Sequence, residues 1–564
     1  MIVLVCEVVA DLLQPTIVAR IINEGVMQND IDVVIRLGGV MLLVTLMGAS
    51  CAVVRSIISS KVSQEFGADL RMDLFSRINR FSFKALSKWE TAGIITRMTN
   101  DTAQLVGFTN GLMRVFVRAP ALLIGAIVMT VLLNPRLAII LVVVVPVIAT
   151  LMFISMKVGF PLFTKVQGAL EKNNAVIREY LSGVRVVKAY NTFEQETTRF
   201  DNTNTELAEV SITAQRTVGS FYPIVSFAVN MSLVMTLWLA RGWVANSQMQ
   251  VGEVVAFLNY MMQISIAIRM IFGVYQMFIR AKASAERVGD ILAEEDVTKE
   301  LGLAQMTPDI TASIEFRNVS FTYPGGGYEP VLREVSFSIA PGETLGIIGS
   351  TGSGKTTLVQ LIPGFYTPTE GKVLIGEQST DEIDLDILRG AVAYVSQQNT
   401  IFYGTIASNI RMGNVDATQE EIEAAARIAC AHDFIVEYPD GYETIIGQKG
   451  VNLSGGQRQR VGIARALVRK APILIMDDSV SALDVETEAK IMRAIYDLTG
   501  TNGQASKADA TTPTCLLIAQ RISSVMNLAN ILVMKDGRVD GFGNHEELMK
   551  SCKTYQEIYH SQMI

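Results

Sequence analysis

Gly349-Ser350-Thr351-Gly352-Ser353-Gly354-Lys355-Thr356 is the stretch from which the rest of the chain can be read. It has the G-x-x-x-x-G-K-[ST] spacing of a phosphate-binding loop. The apolar run Leu345 to Ile348 before it reads as a short buried strand, and a helical pattern follows it. The loop thus sits in the strand–loop–helix setting that the pattern requires. Glycines let the main chain curl until successive N–H groups face a polyphosphate. The following helix adds the positive end of its dipole, and Lys355 adds a full charge. Thr356 is placed to hold Mg2+ through its hydroxyl, with Thr357 beside it as a further nucleotide-binding candidate.

Downstream stretches agree with this reading. Val392 to Gln397 reads as a strand ending in a polar side chain. Leu453-Ser454-Gly455-Gly456-Gln457 is a second glycine-rich turn opening a helical run through Arg469, and its helix N-terminus could receive a second phosphate. The apolar strand Ile473 to Asp477 ends in a carboxylate suited to serve Mg2+ at the phosphate loop. Asp478 follows directly, and Ser481-Ala482-Leu483-Asp484 starts another helix. A last buried strand, Cys515 to Ala519, ends at Gln520. Before it, Gly500–Pro513 reads as a mobile surface loop. Upstream, Glu315 to Thr322 alternates as a strand and leads to Tyr323 and a Pro-Gly-Gly-Gly turn. From composition, Tyr323 is equally suited to stack on an adenine ring or to be a core tyrosine.

The half of the chain before these motifs is different. Of 564 residues, the first 280 or so carry six apolar stretches: Ile2–Ile22, Leu37–Val54, Gly111–Leu133, Leu137–Met156, Thr217–Ala240 and Val254–Ile279. Each approaches the ~20 residues needed to cross ~30 Å of hydrocarbon. Met1 to Val9 has neither the positive n-region nor the cleavage site of a signal peptide. The net charge of −7 without a basic block argues against nucleic acid as a partner. Five scattered cysteines without C-x-x-C suit neither zinc nor a disulfide framework.

Lys and Arg concentrate between spans two and three and between spans four and five, which places those loops and both termini in the cytoplasm. Spans two to five are expected to continue as helices beyond the bilayer, with tips near Gly93–Asp101 and Ala189–Phe200. Ala281–Leu303 turns charged and carries the last span into the soluble domain. The expected domains are 1–295 and 313–564, joined by a linker at 296–312.

Polar residues inside spans need an explanation. Glu7, Asp11 and Gln14 share one face of the first span. In the sixth, Asn259 and Gln263 share one face, and Arg269 and Gln276 another. They read either as interhelical ties or as a substrate path lined by Glu7, Asp11, Asn259, Gln263 and Arg269. Arg114, Arg118, Arg20 and Arg241 lie near span ends and are read as snorkelling. Met261, Met262 and Met270 read as packing residues before an adaptable substrate surface.

With six spans followed by these motifs, the chain resembles an ABC exporter half-transporter of the type IV or multidrug-exporter kind, over nearly its whole length. The resemblance implies an all-α membrane domain, six transmembrane helices with long cytoplasmic extensions, fused to an α/β P-loop ATPase domain. It makes Tyr323 the A-loop position, Gly349–Thr356 Walker A, Gln397 the Q-loop and Leu453–Gln457 the signature. Asp477 closes Walker B, with Thr356, Gln397 and Asp477 toward Mg2+, and Ser481–Asp484 is the D-loop. The two tips resemble coupling-helix regions. ATP is implied as cofactor, at sites that pair one domain's Walker A with the other's signature. The first span begins at residue one without the amphipathic helix that often precedes it in such exporters, which leaves the true N-terminus open.

Three positions depart from the family pattern. Asp478 stands where the catalytic glutamate is usual, Gln520 where the switch histidine is usual, and Gln448 where a glutamate usually precedes the signature. A shorter carboxylate holds water badly, and an amide cannot shuttle a proton as imidazole can. The expectation is slow hydrolysis at this chain's own Walker A, an intact signature lent to a second, non-identical half-transporter, and a bacterial plasma-membrane location. A homodimer with Asp478 as a working base, and a nucleotide-gated channel or regulatory subunit, are the rivals. Six spans exclude a soluble ABC ATPase. Drugs or lipids are the expected cargo, ahead of peptide and metal chelate.

Overall fold

The computed structural model describes residues 1–294, 312–323, 329–499 and 512–562. It divides into two compact units, one of Met1–Ser76 with Thr91–Ala293, the other of Arg77–Glu90 with Glu294–Ile564. The expected linker (except Ala312), the loop Gly500–Pro513 (except its last two residues) and the turn after Tyr323 lie outside the described residues.

Six helices among the described residues are long and apolar enough to cross a membrane: Ile2–Val26, Ile31–Asn79, Thr91–Leu133, Pro135–Tyr190, Phe193–Ala245 and Val251–Ala293. Each contains one expected span. The fourth has 56 residues, about 84 Å at ~1.5 Å per residue, so it far exceeds a hydrocarbon layer of ~30 Å. The sixth helix is central to the bundle. Phe257, Tyr260, Met261 and Ile264 are fully buried against Leu4, Val8 and Leu12 of the first helix and Leu122 and Ala126 of the third. Tyr260 donates its hydroxyl to the Leu12 carbonyl at 2.7 Å, tying first helix to sixth. Met261 is core packing, whereas Met262 faces outward. The second helix leaves most of its apolar side chains exposed, which suits a surface that meets hydrocarbon.

The first long reversal is not where the periodicity puts it. The second helix ends at Asn79, and Ser82 caps a short helix, Phe83–Lys88, its hydroxyl accepting from the Ala85 N–H at 2.9 Å. Gly93–Asp101 lies beyond the turn, in helical backbone that widens into a π segment at Arg97–Asp101. Asp101 is 3% exposed and accepts from Ser284 at 2.8 Å and from Arg287. A carboxylate so placed is an internal anchor of the bundle rather than a tip, because burial of a charge is tolerated only with such partners. The other reversal falls inside its expected range: Asn191 takes the left-handed conformation that ends Pro135–Tyr190, and a new helix starts at Phe193.

The second unit holds a six-stranded sheet in the order Arg538–Gly543, Asn530–Lys535, Thr344–Gly349, Thr514–Ile518, Ile473–Asp477, Val392–Val395. All pairings are parallel except that of the Arg538–Gly543 edge. Its residues alternate between two cores: Ile348, Leu474, Met476 and Leu517 on one side, Leu345, Ile347, Ile475 and Leu516 on the other. Burial on both faces is why these strands read as continuous apolar runs. A four-stranded antiparallel sheet, Leu332–Ile339, Ile314–Phe321, Glu370–Ile375, Gln378–Ser379, packs into the second core. The parallel register matches Ile347 with Ile518 and Ile518 with Asp477. The phosphate loop, the Asp477–Asp478 pair and Gln520 therefore emerge together at the carboxyl ends of adjacent strands, where open α/β sheets bind ligands.

Candidate functional site

A cavity of about 460 Å³ opens at those strand ends, lined by Gly349–Gly352, Gly354–Thr357, Gln397, Asp478 and Gln520. Gly352 and Gly354 sit at φ +84° and +95°, a region that side chains disfavour, and a Cβ on Gly354 would meet Leu332 at 2.8 Å. The curl opens directly into the helix Lys355–Leu361, which directs its free N–H groups at the cavity. Lys355 donates to the carbonyls of Gly349 and Ser350, both at 2.8 Å. Burial pulls its ammonium below the usual lysine range, against the neighbouring charges of Asp478 and Asp477.

Both aspartates are buried, and burial raises both carboxyls above the ordinary range. Asp477 Oδ1 accepts from the Thr356 hydroxyl at 2.9 Å and Oδ2 from the Tyr394 hydroxyl at 2.9 Å. Thr356 and Asp477 thus set two hard oxygen donors side by side at the loop, a set that fits Mg2+. Gln397 is turned elsewhere: its amide donates to Asp478 Oδ2 at 3.0 Å. Gln520 donates to the same oxygen at 2.5 Å. One carboxylate oxygen is therefore held between two amides. The backbone at Asp478 has φ +48°, a left-handed turn that aspartate tolerates better than most residues.

Tyr323 donates to or accepts from Thr357 at 2.9 Å and lies edge-on to Phe321 and Tyr366, at 5.0 and 5.2 Å between ring centres. It is half-buried beside the phosphate-loop helix, which accommodates either of its readings. The turn Leu453–Gln457 is well formed. Ser454 and Gln457 make a reciprocal capping box, and Ser454 and Gly455 are exposed at the start of the helix Gly455–Leu467. None of these five residues lines the cavity of the chain's own phosphate loop. Tyr394 and three residues of the last helix, Ile558, Ser561 and Gln562, were missed by sequence reasoning. Gln562 lines the cavity and donates to the Gln520 carbonyl at 2.8 Å. A tyrosine next to the Gln397 segment was a visible signal for the first; nothing in the sequence marks the others.

Comparison with known proteins agrees with this architecture. The model for the ABC transporter transmembrane region matches residues 1–268, and the ABC transporter ATPase model matches residues 332–481. The chain is 37% identical to the ABC transporter ATP-binding protein YfiB of Bacillus subtilis, across 100% of this chain and 95% of that one.

The chain belongs to the ABC transporter family. It is 31% identical to an ATP-dependent lipid A-core flippase of Syntrophus aciditrophicus, over 92% of this chain and 84% of that one. The structure of a bacterial Atm1-family ABC exporter with ATP bound superposes with a TM-score of 0.84 at 25% identity, covering 100% of this chain and 97% of that one. The chain is an exporter half-transporter: an integral membrane domain fused to an ABC ATPase whose hydrolysis of ATP drives export.

In the membrane unit of this ABC exporter the polar residues separate into two groups. Glu7, 2% exposed, accepts from Arg55 at 2.5 and 3.0 Å and pairs with Arg118 at 3.3 Å. Arg118 also reaches Asp11 at 2.8 Å, and Gln263 donates to the Asp11 carbonyl at 3.0 Å. Arg118 is thus a bridge between helices and not a snorkelling residue, because two carboxylates lie within its reach. Asn259 bonds its own helix at Val255, and Arg269 is exposed. The structure brings Glu7, Asp11 and Gln263 together and leaves Asn259 and Arg269 apart from them.

Proposed function

We propose that this chain is the degenerate-site subunit of a heterodimeric ABC exporter. The observation that carries the reading is the double amide clamp on Asp478. A general base must reach the attacking water and take its proton. Asp478 is one methylene short, and the donors Gln397 and Gln520 both engage Oδ2. Gln520 offers a γ-phosphate a hydrogen bond but no proton relay. Mg2+, held by Asp477 and Thr356, would neutralise charge between the terminal phosphates. Tyr323, Lys355 and the loop N–H groups would bind and orient ATP without rapid turnover.

The exposed signature, absent from the chain's own cavity, supports its use across a dimer interface. A partner with the usual glutamate and histidine would hydrolyse ATP between its own Walker A and this chain's Leu453–Gln457. ATP retained at Lys355 would then bias the closed state without being consumed at each cycle. The ATPase unit and the two long loops face the cytoplasm in this reading, following their Lys and Arg content. The likeness to a lipid A-core flippase supports a lipid-like or amphipathic cargo.

Purifying the chain without any partner and measuring phosphate release tests the reading. Turnover lower by roughly 10²–10⁴-fold than an ordinary exporter's is expected. Robust turnover would instead establish a homodimer with Asp478 as base.

A further inference from the structure

We propose that Tyr394 is a positioning residue for the metal-side carboxylate, and that it links that carboxylate to the ring stack reaching the Phe83–Lys88 helix. Asp477 has two oxygens and two neutral donors. Thr356 holds Oδ1, and the Tyr394 hydroxyl holds Oδ2 at 2.9 Å. Rotation of the carboxylate about its last bond is therefore fixed at both oxygens. Only the Thr356 end is part of the phosphate loop.

The tyrosine ring is itself fixed from the other side. Phe365 stands edge-on to it at 5.4 Å between centres. Phe83 packs on Phe365 at 4.5 Å and approaches Tyr366 at 6.1 Å. The Arg389 guanidinium lies 5.9 Å from the Phe365 ring. Phe83 belongs to the helix that Ser82 caps, on the segment following the second long helix in sequence. The Phe83 and Phe365 rings are tilted against each other and Phe365 stands edge-on to Tyr394, so a shift of Phe83 is passed through Phe365 to Tyr394 by direct packing. Tyr394 is the residue in this set that touches both the carboxylate and the rings. It therefore makes the orientation of Asp477 depend on where the Phe83 helix sits.

This rests on the nucleotide-site reading above, and the experiment separates the two. A fluorescent ATP analogue is titrated onto the full chain in lipid nanodiscs, first with EDTA and then across a Mg2+ series. Tyr394→Phe keeps the ring and removes the hydroxyl. A hydrogen bond to a charged group changes an equilibrium by roughly tenfold or more, so half-saturating Mg2+ should rise about tenfold while metal-free affinity stays at the wild-type value. Phe83→Ala, with the hydroxyl intact, should shift the Mg2+ requirement in the same direction by a few fold. An unchanged Mg2+ requirement in Tyr394→Phe overturns the proposal, as does an equal loss of metal-free binding, which would assign Tyr394 a purely structural role. A wild-type chain that binds the nucleotide without any dependence on Mg2+ would sink the underlying site reading instead.

Discussion

Replacing Asp478 with glutamate and Gln520 with histidine should restore hydrolysis at this chain's own Walker A. The added methylene advances the carboxylate by about 1.5 Å, one C–C bond. A positioned general base is worth roughly 10²–10⁴-fold in rate, or about 3–5 kcal/mol at ~1.36 kcal/mol per decade. Two features of the structure reduce that gain for Asp478→Glu alone. Gln520 stands 2.5 Å from the existing oxygen and Gln397 3.0 Å, so a longer side chain runs into the amides that hold the shorter one. The backbone at φ +48° also favours aspartate, and a left-handed conformation costs other residues roughly 1–2 kcal/mol. The single variant should therefore gain about tenfold or less, and the double variant about a hundredfold, since the imidazole removes one amide donor and supplies a proton relay. Steady-state phosphate release by the purified chain reads this directly. Wild-type turnover in the double variant, with nucleotide binding intact, would refute the argument that these two side chains limit the site.

Other consequences can be checked separately. Arg118→Ala leaves Glu7 with Arg55 but strips Asp11 of its charge partner; breaking a fully buried pair costs roughly 3–5 kcal/mol and this half-buried one less, so thermal unfolding of the purified chain should start below the wild-type temperature, and Asp11→Asn in the same background should recover part of the loss. Tyr323→Ala removes a ring worth about 0.5–1.5 kcal/mol in an aromatic contact, so nucleotide affinity should fall up to about tenfold in a binding titration, with no effect if the ring serves only the core. Cys515 is fully buried and its thiol is pushed up to about 12, so at pH 8 only about one part in 10⁴ is thiolate; maleimide should leave it unmodified in the folded chain and label it once the chain is denatured, as mass spectrometry of digested peptides would show.

Most of the ATPase unit was legible because its chemistry is local. A phosphate loop needs glycines at left-handed positions and a lysine at a helix start, and Gly352, Gly354 and Lys355 carry that requirement in consecutive letters. Parallel strands buried on both faces announce themselves as apolar runs, as Ile473–Asp477 does. What the letters could not give was set by packing between distant segments. Helical periodicity continues almost unbroken from Ile31 past Asp101, so it points to a reversal some ten residues beyond the real one; the cap at Ser82 decides it, and a lone serine is a weak signal. Arg118 looked like a residue near a span end because its partners, Glu7 and Asp11, lie more than a hundred positions away. Tyr394 shows in the sequence only as part of a strand, since its bond to Asp477 spans 83 residues.

Vanadate trapping of labelled ADP, resolved between the Lys355 cavity and the partner-built one in the assembled exporter, addresses the slow-site reading most directly. ADP should accumulate at the partner's Walker A and hardly at all at Lys355. Equal trapping at both would contradict a nearly idle site behind Asp478 and Gln520.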